Sequence, residues 1–254
     1  MLEAIWTGLL VALLCWIASV LWNNRRRLPV LVASWRLFGE VRVSVASLLR
    51  VQDDDRYLLV HSPYRPDSYG PPGGVVKYHP AARPALDRLG FREELRVDQR
   101  MRSDLRGFLP GRALPGFVRW LDRQEDRESA LECVRRELAE ELAEIGHQEL
   151  AAGIDRLHFT HVRHVVDGPL KVPGRPYRVV RLFDVWDLSL DTAEAVRLRE
   201  ALTALAADSA NHGVLVATAD DIVHGRRRHA YLAPHAAYLM GERRFHADLP
   251  PLNS

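Results

Sequence analysis

The stretch Arg127 to Ile145, RESALECVRRELAEELAEI, decides how the rest of the chain is read. Leu131, Val134, Leu138, Leu142 and Ile145 recur at three- and four-residue steps, which predicts a helix with one apolar stripe to bury. At about 100° per residue, Glu137, Glu140, Glu141 and Glu144 fall in a sector of about 100° beside that stripe. Carboxylates at these spacings repel one another. A divalent cation offsets the repulsion, and an all-oxygen donor set suits Mg2+. The same residues also allow a solvated helix face laced with pairs such as Glu132–Arg136 and Arg136–Glu140.

Upstream, Gly70-Pro71-Pro72-Gly73-Gly74-Val75-Val76 sets paired glycines before a strand, a sign of tight backbone geometry or of close approach by another group. Val41 to Val45 alternates apolar and polar residues, Asp53-Asp54-Asp55 signals a turn, and Tyr57 to Val60 is extended, which together predict a hairpin. Residues 77–120 are arginine-rich, with a helix-like run at Pro84–Arg96 and Gly/Pro punctuation near 110 and 115. Downstream, extended segments at 157–166, 177–187 and 213–217, a helix at 192–207 and a closing helix at 233–240 complete the pattern. His158, His161 and His164 sit in the first of these, but extended spacing does not bring all three to one face, which argues against a metal site.

Ala4 to Trp22 (AIWTGLLVALLCWIASVLW) carries no charge, and as a helix it spans about 28 Å, close to the hydrocarbon core of a bilayer. A cleaved signal peptide needs a basic start and a small-residue cleavage site, whereas this chain starts Met1-Leu2-Glu3 and places Arg25-Arg26-Arg27 after the run. The segment is therefore expected to be a single-pass anchor in the cell inner membrane, with the N-terminus outside and the body cytoplasmic. Ala4, Gly8 and Ala12 recur at four-residue spacing and offer a packing face for a second copy, so a homo-oligomer is expected. The expected layout is a membrane helix at 4–22, a linker at 23–40, a soluble domain at 41–245 with an insertion at about 77–122, and a tail at 246–254.

The composition, 47% hydrophobic and 27% charged, excludes a disordered chain. A formal net charge of +2 provides no global field for nucleic acid, and DNA is not an expected partner. Lys77 and Lys171 are the lysines; the remaining positive charge is arginine, whose planar fork suits phosphate. Cys15 and Cys133 fall in segments expected in different environments, one in lipid and one in a soluble helix, which argues against a disulfide.

Glu128, eight positions before Arg136, together with Arg136-Glu137-Leu138-Ala139-Glu140-Glu141-Leu142, resembles the Nudix box. Asp122 and Ala143 stand where that box has its first and last glycines, and some fifty residues separate Gly74 from Glu128. The resemblance implies an α/β fold: a Nudix-like α/β/α sandwich with a mixed sheet, here preceded by the N-terminal transmembrane helix. It also implies that Glu137, Glu140 and Glu141 hold Mg2+ against a diphosphate, with Arg136 orienting a glutamate. These four are the catalytic candidates if the site is active.

The anchor, the Val75-Val76-Lys77-Tyr78 extension, the insertion and the run Leu114-Pro115-Gly116-Phe117-Val118-Arg119-Trp120 together resemble the transmembrane–Nudix effectors found with bacterial CD-NTases, or SMODS-associated Nudix domains. That resemblance implies a CBASS anti-phage effector. A partner CD-NTase nucleotidyltransferase makes a cyclic oligonucleotide, the Nudix-like domain senses it, and the anchors assemble, disrupt the inner membrane and cause abortive infection. Candidate ligand-binding residues are Gly73, Gly74, Arg92, Arg102, Arg106, Arg226 and Arg227, with Arg83, Arg96, Arg100 and Arg228 in the same basic stretches. A membrane-tethered, Mg2+-dependent pyrophosphohydrolase acting on a nucleoside diphosphate derivative, and a membrane-bound protein scaffold, are the alternatives.

Overall fold

The computed structural model describes residues 14–15, 39–63, 65–94 and 101–247. The expected anchor with its Ala4–Gly8–Ala12 face, the basic linker and the end of the tail lie outside them, Leu14, Cys15, Gly39 and Glu40 apart. Among the described residues no helix is long and apolar enough to cross a membrane.

The α/β class holds, with the strands divided between two six-stranded sheets. In chain order the strands are β1 (Glu40–Arg50), β2 (Gln52–Asp53), β3 (Arg56–His61), β4 (Ser68–Gly70), β5 (Gly73–Val75), β6 (Arg92–Glu93), β7 (Arg106–Pro110), β8 (Phe159–Lys171), β9 (Arg178–Leu188), β10 (Val214–Thr218), β11 (Arg226–Arg227) and β12 (Ala230–Leu232). The helices are α1 (Arg83–Arg88), α2 (Leu114–Arg123), α3 (Ala130–Glu144), α4 (Ala193–Ala207) and α5 (Ala219–His224). The first sheet runs β6-β7-β1-β9-β8, with β5 also on β1; the second runs β10-β3-β4-β12-β11, with β2 on β3. The first sheet is mixed, because β1 lies parallel to β9 from Val41↔Arg178 to Arg50↔Asp187 while its other pairings are antiparallel.

The predicted hairpin forms with a different first arm. β1 runs on to Arg50 inside the first sheet, and Gln52-Asp53 turn back on Tyr57 and Arg56 to start the second. The chain thus changes sheet at Val51, a transition that alternation in Val41–Val45 does not encode. Pro84–Arg96 is also not one helix: α1 stops at Arg88, Gly90 takes φ +68°, and Arg92-Glu93 pair with β7. The closing helix at 233–240 is a 3-10 turn over Pro234–Leu239.

The predicted stripe buries α3. Val134, Leu138 and Leu142 pack with Leu49 and Val51 of the sheet region and with Leu198 and Leu202 of α4. Complete burial of a leucine contributes about 1.5–3 kcal/mol. Ser129 starts the helix through a capping box, its hydroxyl accepting from Glu132 N while the Glu132 carboxylate accepts from Ser129 N. The insertion builds a core of its own against β1, where Val41, Val43 and Val45 meet Phe91, Leu105, Leu109, Phe117 and Trp120. On the opposite side of β1, Ala46 and Leu48 meet Leu59, Ala217 and the Pro234–Leu239 turn.

Candidate functional site

Arg136 is the hub of the glutamate helix. Its Nε and Nη2 donate to Glu128 Oε1 and Oε2 at 2.7 and 3.0 Å, its Nη1 to Glu137 at 2.8 Å and Glu140 at 3.2 Å, and Nη2 also to the Val75 carbonyl at 3.0 Å. Glu128, just before the N-cap, also accepts from Lys77 N at 3.0 Å, while its own N–H donates to the Lys77 carbonyl at 2.9 Å. The eight-residue spacing of Glu128 and Arg136 therefore ties the helix start and its second turn to the strand leaving β5.

The paired glycines have distinct tasks. Gly73 has φ +126° and donates its N–H to both Glu141 oxygens, at 3.1 and 3.2 Å. At Gly74 an added Cβ would stand 2.1 Å from the Glu137 carboxyl carbon, so a hydrogen there is what lets that carboxylate lie against β5.

Glu137, Glu140, Glu141 and Glu144 line one cavity of about 520 Å³, within the range of small-molecule sites. Gly73, Gly74 and Arg106 line it as well, as do Arg65, Arg181, Arg244, His61, Tyr69 and His235. The insertion contributes Met101, Asp104 and Arg106. Other candidates lie elsewhere. Arg92 pairs with Glu40 at the sheet edge, and the carbonyl of Arg102 accepts from Lys77 Nζ at 3.3 Å. Arg83 pairs with Asp87 and Glu93, and Arg227 with Asp221 at 3.6 Å; neither these nor Arg226 and Arg228 are among the cavity's lining residues. Arg96 and Arg100 lie outside the described residues.

The three histidines do not meet on one face, although two of them do. His158 pairs with Asp191, but His161 Nε2 and His164 Nδ1 both reach Asp184 Oδ1, at 3.2 and 3.1 Å. A register shift between His161 and Arg163 inserts one residue into the alternation and turns both rings to the Asp184 side.

The family model for the SMODS-associated NUDIX domain matches residues 40–240. The chain belongs to the SMODS-associated Nudix family. No curated protein and no solved structure matches the chain. In this Nudix domain the two departures from the box fall at helical positions: Asp122 lies within α2 and Ala143 within α3, and the left-handed turn that follows the helix is taken by Gly146 at φ +83°.

Two carboxylates of the Nudix helix, Glu137 and Glu141, are buried where ionisation is disfavoured. Burial raises the pKa of Glu141 well above the usual carboxylate range, the Glu137 charge adds to it, and the Gly73 N–H only partly opposes it. Burial likewise raises Glu137, against the pull of Arg136. Burial would lower the pKa of Arg136, but hydrogen bonding to Glu128 and the charge of Glu137 outweigh it and fix the guanidinium as a cation. In donor chemistry the set fits a hard divalent ion, which Glu137, Glu140 and Glu141 would hold and which would relieve their repulsion. As the side chains lie, no group of three His, Cys, Asp or Glu among the described residues is gathered to hold a metal, and Arg136 has hold of Glu137 and Glu140.

A carboxylate with a raised folded pKa favours the fold below its unfolded value, near 4.5, and that contribution is lost as pH rises through the folded pKa. Glu141→Gln is therefore expected to stabilise the apo protein at pH 8 by at least about 0.5 kcal/mol, the scale of one like-charge helix pair. The gain should vanish near pH 4.5. Thermal unfolding at the two pH values checks this, and an equal or lower midpoint at pH 8 refutes it.

Proposed function

We propose that this protein is a membrane-anchored effector of a CBASS antiviral system, whose cytoplasmic Nudix-like domain senses a cyclic oligonucleotide made by a partner CD-NTase. The observation that carries the reading is the cavity itself, in which the carboxylates of the Nudix helix and arginines from three other parts of the chain, Arg106, Arg181 and Arg244, line one space. Such a lining suits a ligand with phosphates for the arginines and a bound Mg2+ for the glutamates. Family membership and the uncharged Ala4–Trp22 run support the rest of the scheme: a single inner-membrane pass with the N-terminus outside, assembly of copies through Ala4, Gly8 and Ala12, and loss of membrane integrity.

The test is thermal unfolding of the full chain in detergent with cyclic di- and trinucleotides, with and without Mg2+. A ligand at 100 times its Kd stabilises by about 2.7 kcal/mol. For a domain of this size that is a rise of roughly 5–10 °C. A full-length protein that stays soluble without detergent, or a screen with no response, would sink the proposal.

The intact Arg136–Glu128 and Glu141–Gly73 contacts favour one other reading, a tethered Mg2+-dependent pyrophosphohydrolase. Release of mononucleotide from a nucleoside diphosphate derivative, lost in Glu141→Gln, would replace the sensor with that enzyme.

A further inference from the structure

Arg181 and Arg244 line the cavity from segments far apart in the chain, one on β9 and one after the closing 3-10 turn. One buried carboxylate contacts both. Asp167 of β8, directly across the ladder from Arg181, accepts from Arg181 Nη1 at 3.1 Å and from Arg244 Nη2 at 2.6 Å, both on Oδ2. Arg244 Nε also donates to the hydroxyl of the buried Tyr238 at 3.1 Å. The side chains of Arg181, Arg244 and Asp167 are only 18%, 14% and 7% exposed.

Drawing two guanidiniums out of water around one carboxylate is expensive, and an apolar trio would hold the tail to the sheet at least as well. A purely structural clamp also has no reason to open onto a cavity. What the arrangement does provide is two planar forks whose orientation is fixed before a ligand arrives, the geometry that recognises phosphate oxygens. We infer that Arg181 and Arg244, positioned by Asp167 and Tyr238, form an anion-binding subsite of the cavity that takes a phosphate group of the ligand. The subsite deepens the proposed sensing role and rests on it only in taking the ligand to carry phosphate.

The test is calorimetric titration of the full chain in detergent, with EDTA present, using inorganic pyrophosphate in one arm and cyclic dinucleotides in the other. Arg181→Gln and Arg244→Gln are each expected to weaken binding about tenfold or more, the scale of a charge-assisted hydrogen bond. Arg197→Gln, a charge-matched change at an exposed position on α4, should bind like wild type. Loss of either arginine should flatten the dependence of log affinity on log salt. Asp167→Asn keeps both cations, so affinity should fall while that slope is retained, an outcome a merely structural role does not produce.

Should Arg181→Gln fail to fold by circular dichroism, Arg244→Gln carries the test. Folded arginine variants that bind both probes as tightly as wild type overturn the subsite, as does a wild type that binds neither. Pyrophosphate binding lost in the variants, with no nucleotide response, upholds the subsite and removes the sensor. A nucleotide response indifferent to both arginines does the reverse.

Discussion

Alanine at Gly73 is expected to destabilise the domain by on the order of 3 kcal/mol, a large part of the stability of an ordinary domain. Two effects act together. Gly73 sits at φ +126°, where a side chain is strained, and an added Cβ would lie 2.2 Å from the Ser47 carbonyl oxygen. That oxygen belongs to β1, the central strand of the first sheet, and cannot retreat without disturbing the parallel ladder to β9. Gly74→Ala provides the contrast. Its Cβ meets the far end of a flexible side chain, the Glu137 carboxyl, which can swing away at the expense of its Arg136 contact. Gly74→Ala should therefore fold with a smaller loss of stability. Chemical denaturation of both variants decides the matter, and a Gly73→Ala loss under about 1 kcal/mol would contradict the account.

Arg136→Gln carries the second large effect, on the order of 3–5 kcal/mol, the usual result of leaving buried charge without its partner. The stranded groups are Glu128 and Glu137, 13% and 18% exposed, together with the Val75 carbonyl. The deficit should depend on pH with a definite sign. Burial already raises Glu137, and without Arg136 nothing comparable opposes that rise. A carboxylate of that kind favours the fold below its unfolded value, near 4.5, and ceases to do so as pH rises through its folded pKa. The difference between wild type and Arg136→Gln should thus be widest near pH 8 and narrow toward pH 5. A second change, Glu128→Gln, should restore part of the loss in a double-mutant cycle. A deficit that stays flat across this range would show that Arg136 acts through packing and not through charge.

Much of the glutamate face was legible because it is local. A 3.6-residue period placed Val134, Leu138 and Leu142 on the buried stripe and Glu137, Glu140 and Glu141 beside it, and α3 forms as read. The paired glycines also announced a close approach, and Gly74 does meet Glu137. The basic part of the cavity was not legible in the same way. Arginine runs drew attention to Arg92, Arg102, Arg226 and Arg227, yet of the described candidate arginines Arg106 is the one that lines the cavity, beside Arg65, Arg181 and Arg244. Arg181 reads as a lone charge between the apolar pairs Val179-Val180 and Leu182-Phe183 of an extended segment, and Arg244 as part of a C-terminal segment without a motif. Their shared partner Asp167 lies 14 residues from one and 77 from the other, so no periodicity relates them.

The sequence by itself determined the helix with its carboxylate cluster, a glycine pair of tight backbone geometry, and an uncharged N-terminal run long enough to span a bilayer. All of these are set by residues a few positions apart, where backbone period and side-chain chemistry suffice. Tertiary structure alone decided that β1 leaves the hairpin for a parallel partner, that one inserted residue turns His161 and His164 toward Asp184, and that arginines from separate segments share a cavity with the glutamates. These depend on register and on long-range closure of the chain, which only the packed core fixes.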